Sequence, residues 1–339
     1  MKRIINIILL IAPMLVACTH KELCMDHRSH AHKYHVAIAA DYIYEWQENF
    51  GYRDWESTWP EDYISYDGLR PTKPTGIRVI NYNSEGASNI HNIGPDGGIV
   101  NLYEGHNDIL FYNNDTEYII FSRADNNATT RATTRARTRA TYEGNPFTTT
   151  SDKEETVTPP DMLYGRYLEG YYAEKLLDPA EIDITLHPLV FTYKIRYEFE
   201  KGLEYVAIAR GALSGMARSV LMNTGQTSEQ AGTLLYDCEV KDYGVGATVK
   251  SFGIPAFPNS DHVTKSPGRH ALNLEVLLKN GSTLTFDFDV TTQVEAQPHG
   301  GVITVSGIVI KPEDGTQGSG AFDVTVDDWG PYEDISLPL

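Results

Sequence analysis

From Tyr34 to Trp46 the apolar side chains fall on every second residue: Tyr34, Val36, Ile38, Ala40, Tyr42, Tyr44 and Trp46. Between them stand His35, Asp41 and Glu45. A period of two places one set on a single face of an extended chain, whereas a helix would scatter it around the axis. The pattern predicts a strand with one covered face. It returns in the second half, where Phe191, Tyr193, Ile195, Tyr197 and Phe199 alternate with Thr192, Lys194, Arg196 and Glu198. Leu272 to Leu278, Leu284 to Val290 and Phe322 to Val326 repeat it. Ile303, Val305, Ile308 and Ile310 change phase at Gly307, which predicts a bulge.

Shorter β-branched and aromatic runs fill the first half: Gly76–Ile80, Ile99–Leu102, Ile109–Tyr112 and Tyr118–Phe121. Turn-forming groups separate them, namely Asn83-Ser84-Glu85-Gly86, Pro95-Asp96-Gly97-Gly98 and Asn113-Asn114-Asp115-Thr116. Residues 124–160 break the rhythm. Nine threonines lie between Thr129 and Thr150, with Arg131, Arg135, Arg137 and Arg139 and few aliphatic residues. Such a stretch buries too little apolar surface to order itself and reads as a mobile loop. Tyr167 to Leu177 fits a single helix or an extended linker. The expectation is an all-β chain of two tandem antiparallel β-sandwich domains, the first over residues 34–165 and the second over 166–339.

The N-terminus carries a different signal. Lys2 and Arg3 precede an apolar run from Ile4 to Val16, interrupted by Asn6 and Pro13. The run is shorter than a membrane-spanning helix and ends in small residues, as a cleavable export signal does. Leu15-Val16-Ala17-Cys18 resembles the lipobox of bacterial lipoproteins. The resemblance implies removal of residues 1–17 and attachment of lipid to Cys18. Residues 18–33 then form a tether, and the lipid is the expected contact with a membrane.

Composition narrows the function. The 339 residues are 41% hydrophobic and 22% charged, in the range of globular proteins. The whole chain carries a net charge of −18, and losing Lys2 and Arg3 with the signal takes it to about −20. So acidic a surface repels nucleic acid, which is excluded as a partner. Cys24 and Cys238 remain beside Cys18, either bridged or as two free thiols. His20, His27, His30, His32 and His35 crowd the tether, but no matching ligand set stands elsewhere, so no metal is expected. Phe50, Tyr52, Trp55, Trp59, Tyr63 and Tyr66 alternate with carboxylates. Trp55, Trp59 and Tyr63 could stack on a glycan, or the rings could shield a sheet edge. No nucleophile elbow, phosphate loop, zinc-protease helix or calcium loop is present, so neither an enzyme nor a cofactor is expected.

Several strings, taken in order, point to a family. They are His20-Lys21-Glu22-Leu23-Cys24, Tyr112-Asn113-Asn114-Asp115-Thr116-Glu117 and Pro160-Asp161-Met162-Leu163-Tyr164-Gly165. His187-Pro188-Leu189-Val190, Leu213-Ser214-Gly215-Met216-Ala217 and Val326-Asp327-Asp328-Trp329 complete them. Together they resemble a family of Bacteroidetes lipoproteins of unknown function related to the fimbrillins. The resemblance implies two transthyretin-like sandwiches on an outer-membrane lipoprotein. It also implies pilus anchoring, assembly or adhesion through contacts with other pilus or surface proteins. Capture of a carbohydrate or nutrient by the aromatic stretch 50–66 is the alternative.

Overall fold

The computed structural model describes residues 33–43, 72–122, 124–136, 155–258 and 270–316. The signal, most of the tether, the aromatic stretch and the alternating run at Phe322–Val326 lie outside these residues. Among the described residues, eighteen strands form two β units and a small sheet between them.

The first unit is a seven-stranded sheet. Its members are β1 (His35–Tyr42), β2 (Ile77–Asn83), β3 (Ser88–Ile93), β4 (Gly97–Asn101) and β5 (Gly105–Asn113), with the later β9 and β10. The small sheet takes β6 (Ile119–Ser122) and β7 (Arg131–Thr134), while β8 (Glu155–Val157) goes to the second unit. β9 is Tyr164–Ala173 and β10 is Ala180–Pro188, giving the order β3-β2-β5-β9-β10-β1-β4. The edge strands β3 and β4 are consecutive and bridge at Gly94 and Gly97, so the sheet curls almost into a barrel. Val36, Ile38, Ile77, Val79, Ile109, Phe111 and Leu186 fill it.

The second unit is built from β11 (Phe191–Lys201), β12 (Val206–Ala217), β14 (Ala231–Lys241), β15 (Gly244–Ser251), β16 (Ala271–Leu278), β17 (Thr283–Asp289) and β18 (Gly301–Val309). β13 (Ser219–Leu221) leaves it for the small sheet. Its core holds Tyr193, Ile195, Tyr197, Leu213, Leu234, Leu272, Leu274, Val276 and Ile303. Two short helices, α1 (Thr291–Glu295) and α2 (Pro312–Thr316), flank β18.

Four expectations are corrected. The pairing is not wholly antiparallel, because β1–β10, β11–β18 and β8–β14 run parallel. Tyr167 lies in strand β9 rather than a helix or linker, since its backbone pairs with Leu110 of β5. The stretch 124–160 is not loop throughout: β7 lies between β6 and β13, and Thr130, Ala132 and Thr134 are buried. Polar threonines settle there because the neighbouring strands and backbone carbonyls satisfy them, as when Thr134 donates to Thr158 O. Finally, a boundary at 165/166 would split the first sheet, because β10 pairs with β1 from Val36 to Tyr42. The bulge at Gly307 is present: the β11–β18 register shifts there, and Gly307 has φ 82°.

β2 and β5 are buried on both faces. Val79 and Phe111 enter the core of the first unit, while Ile80, Tyr82, Leu110 and Tyr112 join a third cluster. That cluster also holds Ala132, Val190, Val220, Met222 and Phe252, so it joins the two units.

Candidate interaction surface at the junction of the two units

Beside that third cluster the chain leaves an open cleft of about 230 Å³. His187 and Pro188 enter from the end of β10, Phe191 from the start of β11, and Phe252 follows β15. Thr224 and Thr227 come from the β13–β14 loop, Phe257 and Pro258 from the segment after Phe252, and His299 from the turn after α1. Four stretches separated in sequence, 187–191, 224–227, 252–258 and His299, thus converge.

Hydrogen bonds hold these loops. Thr227 N donates to Phe257 O at 2.7 Å, and Phe257 N donates to Thr227 Oγ1 at 2.8 Å. Thr227 Oγ1 in turn donates to Ile254 O at 2.7 Å, and Ala256 N to Ser228 O at 2.9 Å. The His299 ring stacks on Phe191 at 4.5 Å and 19°, and meets Phe257 edge-on at 5.0 Å and 81°. Gly300 fixes this placement. Its φ is 86°, and a Cβ there would lie 2.5 Å from Thr192 O. Only glycine lets the turn close against β11.

The lining is aromatic and aliphatic with two imidazoles and two threonine hydroxyls, and without carboxylate, amine or thiol. Its volume falls below the roughly 300–1,000 Å³ typical of small-molecule sites. An apolar or proline-bearing side chain of a protein partner fits this chemistry. A second, smaller cleft of about 160 Å³ lies at the start of β1, lined by His35, Tyr171, Tyr172 and Glu174. Tyr172 is 59% exposed and meets His106 edge-on at 5.1 Å.

Elsewhere electrostatics is structural. Asn127 Nδ2 donates to Asp108 Oδ2 at 2.6 Å and to Tyr167 Oη at 2.8 Å, while Gly170 N donates to Asp108 Oδ1. Desolvation, then the Asp108 carboxylate, pushes the Tyr167 phenol up to about 12. Burial likewise raises Tyr197 and Tyr236, whose hydroxyls lie 2.8 Å apart, and the nearby Cys238 thiol, with Asp237 adding to the latter. Among the described residues no group of three His, Cys, Asp or Glu could hold a metal ion.

The sequence-derived site residues Cys18, Trp55, Trp59 and Tyr63 lie outside the described residues, as does Cys24. The junction cleft was not legible from spacing. Its only signals are the breakers Gly253-Ile254-Pro255-Ala256-Phe257-Pro258 and Pro298-His299-Gly300-Gly301, which mark irregular backbone without saying that the two meet.

Comparison with known proteins adds the family. The chain is similar to a Bacteroides ovatus protein named as a candidate fimbrium anchoring subunit, Fim4B, with 24% identity over 303 residues. The match takes in 81% of this chain and 88% of that protein. Among solved structures, a candidate adhesin from Bacteroides ovatus superposes with a TM-score of 0.59 at 20% identity, over 84% of this chain and 96% of its own. The fimbrial anchor protein Mfa2 of Porphyromonas gingivalis superposes more loosely, with a TM-score of 0.43 at 11% identity over 80% and 90%. Residues 66–237, more than half of the chain, match the model of the domain of unknown function DUF5119, and the chain belongs to that family.

Proposed function

We propose that this chain anchors or helps assemble a fimbrium, or acts as an adhesin, at the outer membrane. The observation that carries this reading is the likeness to Fim4B along most of both chains. The junction cleft, with its largely apolar and aromatic lining, is consistent with a role in protein–protein contact. In this reading the two β units are transthyretin-like domains of the fimbrillin type, modified by their parallel ladders. Lipid on Cys18 ties the chain to the outer membrane, and other fimbrial subunits are its partners. The lipidated N-terminus favours an anchor over a shaft subunit, because a chain held there cannot also free that end.

Deletion of the gene tests this directly. The expected result is fimbriae shed into the medium or altered in length, with fimbrial subunits co-purifying with the wild-type chain. Cys18→Ser should abolish palmitate labelling and release the protein from membranes. Unchanged fimbriae together with no co-purifying subunit would sink the proposal. A glycan-array signal lost on Trp55→Ala and Trp59→Ala, with fimbriae unchanged, would assign the chain to carbohydrate capture instead.

A further inference from the structure

The two outer strands of the second unit end differently. Along β18, Gln297 Oε1 accepts from Val302 N at 2.8 Å, and its Nε2 donates to Val302 O at 3.0 Å. One turn earlier, on α1, Gln293 Oε1 accepts from Thr304 N and its Nε2 donates to Thr304 O, both at 2.9 Å. The two carboxamides imitate a neighbouring strand and close this edge to pairing. At the other end of the strand order, β17 pairs with β16 along one side and, among the described residues, with no strand along the other. Leu278 N donates to Ser282 O and Val290 N to His270 O, so the even-numbered residues of β17 are the ones that exchange hydrogen bonds with β16. The N–H and C=O groups of Thr283, Thr285, Asp287 and Asp289 therefore point away from β16.

We propose that a second copy of this chain occupies that edge, its β17 antiparallel to the first about a two-fold axis at Phe286, so that one sheet runs through both copies. The order Thr283-Leu284-Thr285-Phe286-Asp287-Phe288-Asp289 selects this occupant. Hydroxyls stand in the first half of the strand and carboxylates in the second. Antiparallel pairing about Phe286 sets Thr285 beside Asp287 of the second copy, and Thr283 beside Asp289, through the backbone groups that face outward. Each carboxylate then meets a hydroxyl able to donate to it. In a parallel pair held in register Asp287 would oppose Asp287, and like charges directly opposite are destabilising. Moving the two-fold to Asp287 does the same, and moving it to Thr285 leaves Asp289 opposite Gly281, beyond the strand. The carboxylates thus guard the edge against other approaches and admit this one.

The other face of the strand agrees. Leu284, Phe286 and Phe288 pack on the core yet remain only partly buried, while Thr285, Asp287 and Asp289 are exposed. The same register brings the two Phe286 rings together at the axis and sets Leu284 beside Phe288, in the pairs whose backbones approach most closely. Asn273 Nδ2 donates to Asp287 Oδ1 and holds that carboxylate on the outer face, where Oδ2 meets the incoming Thr285 hydroxyl. A contact along one strand buries less than the roughly 1,200 Å² of a stable complex, so the dimer is a weak one. This proposal is independent of the fimbrial reading and holds whatever the protein anchors.

Sedimentation equilibrium of the full chain over a concentration series should show a monomer–dimer equilibrium. Amide exchange resolved by residue should slow at Thr285 and Asp287 as concentration rises, while Leu284, Phe286 and Phe288, already bonded to β16, stay unchanged. Thr285→Pro removes an outward N–H without touching the β16 ladder, and should abolish the dimer at an unchanged melting temperature. Thr285→Asp should weaken the dimer at least about fivefold; Thr285→Lys, facing Asp287, should tighten it by about as much, and more at low salt. A monomer at every concentration would overturn the proposal. So would protection of Thr285 and Asp287 that ignores concentration, which assigns the edge to the chain's own residues. A dimer left intact by Thr285→Pro, or equal effects of the Asp and Lys changes, would place the contact elsewhere and overturn it too.

Discussion

Gly211 lies where β12 passes beneath the ring of Tyr236, and a Cβ there would collide with that ring. The ring holds its place because the Tyr236 hydroxyl meets that of Tyr197, which also donates to Asn273 O at 3.1 Å. Gly211→Val should therefore cost about 2 kcal/mol or more, by overpacking and by parting two buried hydroxyls, read as a lowered denaturant midpoint. Tyr236→Phe, which keeps the ring, should cost less. The phenols also set the alkaline limit. In the unfolded chain they ionise near pH 10, while in the folded chain Tyr167 does so at about 12 and Tyr197 and Tyr236 are raised well above 10. The raised groups bind protons more tightly when folded. Their contribution is complete below about pH 10 and is lost as pH climbs towards 12 and beyond. The share of phenolate absorbance due to the buried Tyr197 and Tyr236 should thus appear together with loss of near-ultraviolet dichroism, as a step later than the ionisation of exposed tyrosines.

At the scale of elements, an edge strand needs its backbone groups satisfied or hidden, and β18 uses Gln293 and Gln297 for this. Gln297→Ala should cost about 1–3 kcal/mol, because the buried Val302 N–H and C=O lose their partner. It should also raise the tendency to associate, measurable by light scattering. The strands legible in the sequence were those whose residues alternate between apolar and polar types, such as β1, β11, β16 and β17. β12 was not, since Val206–Ala217 is buried almost throughout and shows no alternation. β7 was hidden for the opposite reason. Arg131-Ala132-Thr133-Thr134 looks too polar to pack, yet its ladder with β6 and β13 supplies the backbone partners that such residues need.

For the whole molecule, the small sheet sets β6, which follows β5 of the first unit, and β13, which follows β12 of the second, on either side of β7, a segment that composition alone assigns to loop. Arg218 Nη2 reaches Glu155 at 2.5 Å and holds β8 against the second unit, so the chain crosses the junction repeatedly. The two units should therefore unfold together. Ala132 is fully buried between Phe121 and Val220, and Ala132→Asp would leave an unpaired carboxylate in the shared cluster. That change should cost at least about 2 kcal/mol and split a single calorimetric transition into two. A single transition at an unchanged midpoint would show that the junction adds no coupling.

Local pattern was enough for what depends on a strand and its own two faces. Alternation at Tyr34–Tyr42 and Phe191–Phe199 determined strands with a covered side, and the phase change at Gly307 determined a bulge. Runs such as Ile109-Leu110-Phe111-Tyr112 marked strands too, without saying what covers their second face. Only the tertiary structure decided that Leu110 and Tyr112 join a cluster shared by both units, that β10 lies parallel to β1, and that His187, Phe257 and His299 line one cleft. These depend on contacts between residues far apart in sequence, 144 positions for Val36 and Ala180 (180 minus 36). No periodicity records such contacts, because their geometry is fixed by how sheets stack and not by what any strand prefers alone.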